Sequence, residues 1–398
     1  MTHLRVSRLG IRGLRSIDDV VLDLSGPTVL IGPNGSGKST IIEACELMRK
    51  AGSEREFVSK LVESHGGADA LLRKHAQKLE LDIDLVDDDG LTYGYEIALR
   101  RAGSWLVVER EQGFVTATGQ PTQMFLERRR GSYAVGPDDL RLPIKPIADD
   151  ELALNAAAFS STQLETVRAA LASVEIHSAP DVRAAWLTPP GDLGLRASAI
   201  IRPITRLDPG NRSLANIYHA LGDQSNWPDI LARIQLALGD RIEAVTTPAD
   251  PSGGRIGLAV RITGLGEIPA FAMSDGQLSY LALVGILLLR RSVTPSLVAF
   301  DEPELHLHPA LIRRLTADLE VFGQQTSVLV ATQSDALLDA LETPARSAVL
   351  CDLDDRAATR CVRPDADELP QWLERYRGLG ELRSAGYESL VFPSLEPQ

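Results

Sequence analysis

The segment GPNGSGKS, residues 32–39, has the residue types and spacing of a phosphate-binding loop. Its glycines let backbone N–H groups surround a phosphate, Lys38 can reach the β- and γ-phosphates of a nucleotide, and Ser39 can ligate Mg²⁺. A strand pattern precedes the loop and a helical pattern follows it, which disfavours a chance match to a glycine-rich turn. The predicted nucleotide-contacting residues are Gly32, Pro33, Asn34, Gly35, Ser36, Gly37, Lys38, Ser39 and Thr40.

A second segment, SLVAFDEPE at 296–304, is an apolar run that ends in Asp301 and Glu302. An acid at the carboxyl end of a parallel strand beside a phosphate loop can hold Mg²⁺, and the next acid can polarise the attacking water. The same sequence pattern would also arise from two acids at a solvent-exposed strand end without a catalytic role. Because the phosphate loop is present upstream, we predict Ser39 and Asp301 as metal ligands and Glu302 as the water-activating residue.

A third segment, Ser274-Asp275-Gly276-Gln277, stands directly before a long apolar stretch. Ser274 can cap the helix that this stretch predicts, and the N-terminus of that helix can present donors to an anion. On local chemistry alone, these residues predict a helix N-cap.

The pattern of apolar residues indicates the elements that must position these segments. The first 32 residues predict three strands, and residues 79–108 predict an antiparallel meander. Three short apolar runs then end before Asp301, Gln333 and Asp352, with helices between them, which predicts a parallel sheet. We predict three parts: an N-terminal ATPase-like lobe (1–150), a helical insertion (151–245) and a C-terminal lobe (246–398).

The composition is that of a globular protein: 398 residues, 44% apolar and 24% charged. Three cysteines without CxxC spacing exclude a disulfide scaffold or zinc finger and favour a reducing compartment. The most apolar stretch, Leu278–Leu289, has 12 residues, whereas a membrane span needs about 20. The N-terminus has no export-signal pattern. These features predict a cytoplasmic protein without a membrane anchor.

The formal net charge of −13 opposes tight binding to a phosphate backbone. The densest basic cluster, Arg128-Arg129-Arg130, is interpreted as a solvated turn in preference to a nucleic-acid patch. Binding to DNA, if present, is expected to be weak.

Four segments together resemble the phosphate loop, signature, Walker B and switch segments of ABC-type ATPase heads: GPNGSGKST, MSDGQLS, VAFDEPELHLHP and VATQSD, in that order. Among those heads, the chain is similar to the RecF/SMC-like branch, specifically to the predicted bacterial AAA ATPases related to the ATPase half of OLD-family proteins. GLRSI at 13–17 and LPQWLERYRGLGEL at 369–382 also look like that group. The resemblance implies an α/β P-loop NTPase head with a mixed or parallel sheet, an antiparallel N-terminal β-subdomain and a helical insertion.

The same resemblance implies residue roles. Ser274, Asp275, Gly276 and Gln277 would contact the ATP held by a second protomer, in an ATP-dependent head-to-tail homodimer that binds ATP and Mg²⁺. Lys38, Glu302 and Gln333 would act in hydrolysis, with Gln333 where many ABC ATPases have a switch histidine. Glutamine can bond a phosphate oxygen but cannot carry charge, so hydrolysis is expected to be slow. Gln77 is a weak candidate for a Q-loop glutamine.

Two further patterns are interpreted as structural features and not as a metal site or a nuclease motif. His306 and His308 could share a metal, but no third ligand stands at suitable spacing, so a loop after Walker B is preferred. Asp352 and Asp354 are similar to the DxD of Toprim nucleases, but only 44 residues follow Asp354, and a solvated strand end is preferred.

The leading functional prediction is a slow ATPase that acts in DNA maintenance or anti-phage defence. The alternative is a nucleotide-gated binding module that assembles with an effector such as a nuclease or toxin, with little turnover. A transporter motor is disfavoured because 236 residues separate Lys38 from Ser274. A bridging role like that of cohesin is disfavoured because long heptad arms are missing.

Overall fold

The structure, a computed structural model, describes residues 3–24, 26–136, 145–183, 193–204, 213–249, 253–387 and 390–392. Within these ranges the strands are β1 (Leu4–Leu14), β2 (Ile17–Asp23), β3 (Thr28–Ile31), β4 (Lys78–Asp87), β5 (Thr92–Ala102), β6 (Trp105–Thr116), β7 (Gln123–Arg129), β8 (Ser132–Val135), β9 (Lys145–Pro146), β10 (Glu175–His177), β11 (Ala199–Ile200), β12 (Ile242–Thr246), β13 (Arg255–Ile256), β14 (Ala259–Ile262), β15 (Gly266–Pro269), β16 (Leu297–Asp301), β17 (Ser327–Thr332), β18 (Ala348–Leu353) and β19 (Thr359–Val362).

The α-helices in the same ranges are α1 (Lys38–Ser53), α2 (Phe57–His65), α3 (Ala68–Leu71), α4 (Ala153–Ala156), α5 (Thr162–Ala172), α6 (Leu214–Gly222), α7 (Trp227–Leu238), α8 (Asp275–Leu288), α9 (Pro309–Phe322), α10 (Asp335–Leu338), α11 (Pro344–Ser347), α12 (Leu369–Leu373) and α13 (Leu379–Ser384). Short 3₁₀ helices cover Ala158–Ser160, Gly194–Arg196 and Ala270–Ala272.

A six-stranded sheet in the order β10-β16-β17-β3-β18-β19 forms the centre of the fold. Its first five strands are parallel, and β19 pairs antiparallel with β18. The sheet confirms the predicted parallel arrangement of the three apolar runs after residue 290. It also places the strand before the phosphate loop, β3, between β17 and β18.

Both faces of this sheet are buried, which explains why its strands are apolar at nearly every position. Alternate residues of each strand enter two different hydrophobic cores. Leu297, Ala299 and Leu329 face the core built on α1 and the N-terminal sheet. Val298 and Phe300 face the core built on α8 and α9. The sheet therefore separates the two cores.

The N-terminal region forms a second, antiparallel sheet of eight strands in the order β2-β1-β4-β5-β6-β7-β8-β9. It contains the predicted meander and extends it on both sides. One prediction in this sheet is wrong: Arg128 is fully buried, whereas Arg129 is 75% exposed. The alternation of side chains along β7 sends Arg128 inward and its neighbours outward, which three consecutive basic residues could not reveal.

The inward-pointing Arg128 belongs to a buried polar cluster. Its guanidinium lies 3.8 Å from Glu111 and donates to the carbonyl oxygens of Ala148 and Glu151. Glu111 accepts hydrogen bonds from Tyr95 and from the first two N–H groups of α4, at 2.7–2.8 Å. Burial raises the pKa of Glu111 and lowers that of Arg128. The cluster fastens the antiparallel sheet to the helices that follow residue 148.

The stretch 151–245 contains the helices α4 to α7, and it also contributes β10 to the central sheet. Glu175–His177 pairs in parallel with Val298–Phe300. Arg291 anchors this short strand through two hydrogen bonds of 2.9 Å to Glu175. This strand has only three residues, and two of them, Glu175 and His177, are polar. It therefore contains no apolar run that could be recognised from sequence. The predicted helical insertion therefore includes one edge strand of the core sheet.

Helix α8 is buried on all sides from Leu278 to Leu287. No helix among the residues that the structure describes is both long enough and apolar enough to span a membrane.

Candidate functional site

The candidate site lies at the carboxyl edge of the central sheet, where three neighbouring strands end. β16 ends in Asp301, β17 is followed by Gln333, and β3 leads into the phosphate loop. Because these strands are parallel and adjacent, the side chains that follow them meet at one edge. The structure thus brings together Lys38, Ser39, Asp301, Glu302 and Gln333, which the sequence placed in three separate segments.

The phosphate loop turns back toward α1 through left-handed backbone at Gly35 and Gly37, with φ of 81° and 98°. Gly37 is also the N-cap of α1. A Cβ at Gly37 would lie 2.1 Å from Oγ1 of Thr359, so glycine is required there on both conformational and steric grounds. The loop consequently directs the free N–H groups of the first turn of α1 at the site, as an anion-binding loop must.

Lys38 is only 6% exposed, and its Nζ donates to the carbonyl oxygens of Gly32 and Pro33, at 2.8 and 2.9 Å. Burial lowers the pKa of Lys38. A buried ammonium of this kind is stabilised by nearby negative charge, which the phosphates of a nucleotide would supply. Beside it, the hydroxyl of Ser36 is buried without a hydrogen-bond partner, a further donor available to a ligand.

Ser39 donates a hydrogen bond of 3.3 Å from its Oγ to Oδ1 of Asp301. Burial raises the pKa of Asp301, and the neighbouring Glu302 adds to the increase. A hydroxyl and a carboxylate at this distance are oxygen ligands of the type that Mg²⁺ uses next to phosphates. The residues present therefore fit a magnesium ion held by Ser39 and Asp301.

Glu302 and Gln333 form a direct pair, in which Nε2 of Gln333 donates to Oε1 of Glu302. Glu302 has left-handed backbone, with φ of 51°, and its N–H donates to the carbonyl of Ala331 at 2.8 Å. Non-glycine residues in this conformation are concentrated at functional sites. The strand end thus fixes both the backbone and the carboxylate of Glu302.

Glu304 is a site residue that the sequence analysis missed. Its Oε1 accepts from the hydroxyl of Thr332 and from the backbone N–H of Gln333, the latter at 3.2 Å. Its Oε2 is buried without a partner, and burial raises the pKa of its carboxyl group. The signal was present in DEPE, where a third acid follows Glu302 by two residues. Glu304 holds the backbone of Gln333 and so supports the pair with Glu302.

Residues 381–384, at and just beyond the end of the C-terminal segment that resembled the same family, pack against the helix after Gln333. Nη1 of Arg383 and Oγ of Ser384 donate to the two carboxylate oxygens of Asp335, at 2.6 and 2.7 Å. The N–H of Glu381 donates to Asp339 at 2.9 Å. Helix α13 is therefore fastened to α10, the short helix that begins two residues after Gln333.

The signature segment adopts the helix cap that local chemistry predicted. Oγ of Ser274 accepts from the N–H of Gln277 at 3.3 Å, and Oε1 of Gln277 accepts from the N–H of Ser274 at 3.1 Å. This reciprocal pair is a capping box at the start of α8. Among the described residues, no hydrogen bond or ion pair joins 274–277 to the phosphate loop at 32–40.

The signature segment does lie against the loop that follows Walker B. A Cβ at Gly276 would come within 2.9 Å of the carbonyl oxygen of His306. In that loop, Nδ1 of His308 accepts from the N–H of Ala310 at 3.3 Å and caps α9. The described residues contain no group of three or more His, Cys, Asp or Glu side chains that could hold a metal ion.

Asp354 accepts from the N–H groups of Arg356 and Ala358 and closes a turn between β18 and β19, as a strand end does. Gln77 contributes its carbonyl oxygen to the N–H of Arg101. Among the described residues, no hydrogen bond or ion pair joins Gln77 to the site, and its assignment as a Q-loop residue stays a prediction.

Comparison with known proteins gives one family and one type of fold. The family model described as "AAA domain, putative AbiEii toxin, Type IV TA system" matches residues 28–339. The DNA replication and repair protein RecF of Bifidobacterium longum subsp. infantis is 29% identical over 102 residues, which are 25% of this chain and 23% of RecF. The chain thus matches less than a quarter of that relative's length.

Two solved structures align with most of this chain. An SMC head bound to the C-winged helix domain of ScpA has a TM-score of 0.50 at 15% identity and covers 92% of this chain and 99% of that one. The SMC head domain from Thermotoga maritima has a TM-score of 0.48 at 12% identity, with 91% and 100% covered. The first likeness confirms the predicted fold class, an α/β ATPase head with an antiparallel N-terminal sheet.

Proposed function

Because the chain belongs to the AAA-domain family whose model matches residues 28–339, we propose that it binds MgATP and hydrolyses it slowly in a head-to-tail homodimer. The observation that carries this proposal is the meeting of Lys38, Ser39, Asp301, Glu302 and Gln333 at one sheet edge. In this proposal Gly32–Thr40 contacts the phosphates, and Ser39 and Asp301 hold the metal.

The protein side of hydrolysis requires a positioned water and a stabilised γ-phosphate. Glu302 accepts a hydrogen bond from the water and orients it, while Gln333 fixes the Glu302 carboxylate. Lys38 leaves the carbonyl oxygens of Gly32 and Pro33 and pairs with the phosphates. Mg²⁺ held by Ser39 and Asp301 would supply positive charge that offsets the negative charge of the phosphates. Gln333 adds a donor but no charge, which supports slow turnover.

Two variants test this assignment. Lys38→Ala removes a cation that contacts ATP in the ground state, so it should lose MgATP binding, measured by isothermal titration calorimetry. Glu302→Gln removes only an interaction made in the transition state, so it should retain binding and lose about 100-fold or more in turnover. Equal MgATP affinity in wild type and Lys38→Ala would overturn the phosphate-loop assignment.

The dimer is proposed because, among the residues that the structure describes, the side chains of Ser274, Asp275 and Gln277 form hydrogen bonds only within this segment and with Arg196 of their own chain. In the dimer they would contact the ATP bound to Lys38 of the partner protomer. Lys38→Ala and Ser274→Arg homodimers should then both be inactive. Their mixture contains a heterodimer with one intact site, and partial ATPase activity should return.

ATP should also hold the Glu302→Gln variant as a dimer, because nucleotide contacts both protomers and is no longer released by hydrolysis. Multi-angle light scattering at saturating MgATP measures this. A monomer under these conditions, together with a mixture no more active than its components, would return Ser274–Gln277 to a purely structural helix cap.

We propose DNA maintenance or anti-phage defence, in the cytoplasm, as the setting. The name of the RecF relative and the family description support this, and the relation to the ATPase half of OLD-family proteins rests on GLRSI and on residues 369–382. A second candidate, a nucleotide-gated module that assembles with an effector protein, is favoured by the uncharged Gln333. ATP-driven dimerisation of wild type without measurable turnover would select the second candidate.

A further inference from the structure

We infer that Arg196 is the positioning residue of the signature segment, holding Ser274 in the orientation in which it meets the partner's ATP. The inference rests on the proposed head-to-tail dimer. Arg196 ends the 3₁₀ helix Gly194–Arg196, within the stretch that was predicted as an insertion and to which no sequence pattern gave a role. Its side chain is 4% exposed.

The guanidinium of Arg196 donates hydrogen bonds to backbone carbonyl oxygens of the residues before Ser274. Nη1 donates to the carbonyl oxygens of Ala270, Phe271 and Met273, at 3.0, 3.1 and 2.8 Å. These carbonyls belong to the 3₁₀ turn Ala270–Ala272 and to the residue directly before Ser274.

The second terminal nitrogen of Arg196 reaches past Ser274. Nη2 donates to Oδ1 of Asp275 at 2.5 Å. One planar group therefore bonds both neighbours of Ser274, Met273 on one side and Asp275 on the other. Because Ser274 is held on both sides, its backbone direction and the start of α8 are set by Arg196. The capping box with Gln277 then fixes its hydroxyl.

The other edge of the guanidinium is fixed by the insertion itself. Nε donates to the carbonyl oxygen of Arg183 at 3.0 Å, and Nη2 is 3.3 Å from that of Val182. The N–H of Leu195 donates to the carbonyl of Asp181 at 3.0 Å, which binds the 3₁₀ helix to the same segment. Arg196 thus connects residues 181–183 with the signature, and a displacement of one would move the other.

A lysine cannot reproduce these contacts, because an ammonium lacks the planar fork that bonds several acceptors at fixed angles. Without Arg196, the carbonyl oxygens before Ser274 and the Asp275 carboxylate would lack their donor. The signature segment could then adopt other conformations. Since no hydrogen bond or ion pair among the described residues joins Arg196 to the phosphate loop, its loss should impair the site of the partner and leave the site of its own chain intact.

The test uses Arg196→Gln and Arg196→Lys in the full chain, each alone and in the Glu302→Gln background. Arg255→Gln is the matched control, because Arg255 is a half-buried arginine of the same region that donates to Ser198 and not to the signature. For both Arg196 variants, MgATP affinity should stay within about twofold of wild type, and MgATP-driven dimerisation should weaken about tenfold or more, the size of a lost charged hydrogen bond. The control should dimerise as wild type does.

Mixing experiments separate positioning from a general loss of stability. Arg196→Gln mixed with Lys38→Ala should regain ATPase activity, because one composite site then has an intact phosphate loop and an intact signature. Arg196→Gln mixed with Ser274→Arg should stay inactive, since both signatures are damaged. A merely destabilised chain would not give this pattern.

If Arg196→Gln does not fold by circular dichroism, Arg196→Lys and Asp275→Asn answer the same question. Wild-type dimerisation in the Arg196 variants would overturn the inference, and so would loss of MgATP affinity by the monomer or failure to complement Lys38→Ala. If instead Ser274→Arg fails to complement Lys38→Ala, the proposed dimer itself is wrong. The two failures are therefore distinguishable.

Discussion

The carboxylate of Glu302 is positioned by Gln333 directly and by Glu304 through Gln333. Gln333 donates to its carboxylate, and Glu304 holds the N–H of Gln333. These contacts fix the carboxylate of Glu302, which follows Asp301 and has left-handed backbone. A carboxylate preorganised in this way can orient a water without further reorganisation of the site during the reaction.

The Gln333→Ala variant should therefore retain MgATP binding and lose turnover. Without the donor, Glu302 can rotate, and we expect a decrease of about tenfold to 100-fold, near the lower range for a misplaced general base. Binding by calorimetry and a steady-state phosphate-release assay measure the two quantities. Unchanged turnover would show that Glu302 needs no partner.

Glu304 gives a prediction about pH. Burial raises the pKa of Glu304 above its usual 4.5 in the folded chain, so the folded state binds a proton that the unfolded state has already released. The unfolding free energy contributed by this group therefore falls as pH rises from 4.5 through the raised pKa.

The Glu304→Gln variant keeps the shape of the side chain and lacks this titration. The unfolding temperature of wild type minus that of Glu304→Gln should become smaller as pH rises from 5 to 8, measured by differential scanning calorimetry. A difference that stays constant or grows with pH would mean that folding does not raise the pKa of Glu304.

At the scale of elements, the buried cluster of Arg128, Glu111 and Tyr95 joins β5, β6 and β7 to the N-terminus of α4. Glu111 satisfies the free N–H groups at the start of this helix, and Arg128 satisfies carbonyls just before it. Glu111 and Arg128 are both fully buried. If one of them is removed, the charge of the other stays buried and cannot be solvated.

Arg128→Leu should accordingly destabilise the protein by about 3–5 kcal/mol, the usual effect of removing one partner of a buried ion pair. Arg129→Leu is the matched control, since this adjacent side chain is exposed and its removal should leave the unfolding midpoint unchanged. Urea denaturation of both variants makes the comparison. Equal midpoints would mean that Arg128 is solvated, as the sequence alone had predicted.

At the scale of the whole molecule, the net charge of −13 governs any interaction with DNA. The basic groups along the antiparallel sheet are largely paired with acids, as in Arg8 with Asp82 and Lys78 with Glu109. A nucleic acid must therefore compete with internal ion pairs as well as with the overall repulsion.

Binding to duplex DNA, where it occurs, should be weak and should fall about tenfold or more between 50 and 200 mM salt, because phosphate contacts release counterions. Fluorescence anisotropy of a labelled duplex, with and without MgATP, measures this. Nanomolar binding that persists at 200 mM salt would contradict the prediction and point to a groove that the net charge does not represent.

The sequence by itself determined the phosphate loop, the acids after β16 and the strand-helix alternation. These depend on short-range patterns: a glycine spacing, an apolar run, the residue that follows it. It also determined the helix cap at Ser274, because a capping box spans only four consecutive residues. The parallel order of the strands followed from their burial on both faces.

Tertiary structure decided the rest, because it depends on contacts between residues far apart in the chain. Arg128 is buried by the alternation of one strand, and Glu175–His177 joins the central sheet only by pairing with a strand more than 100 residues later. Arg196 reaches the signature across 74 to 79 residues of chain. No local pattern encodes such a contact. It exists because folding places five carbonyl oxygens and one carboxylate around a single buried guanidinium, and only the assembled fold can supply them.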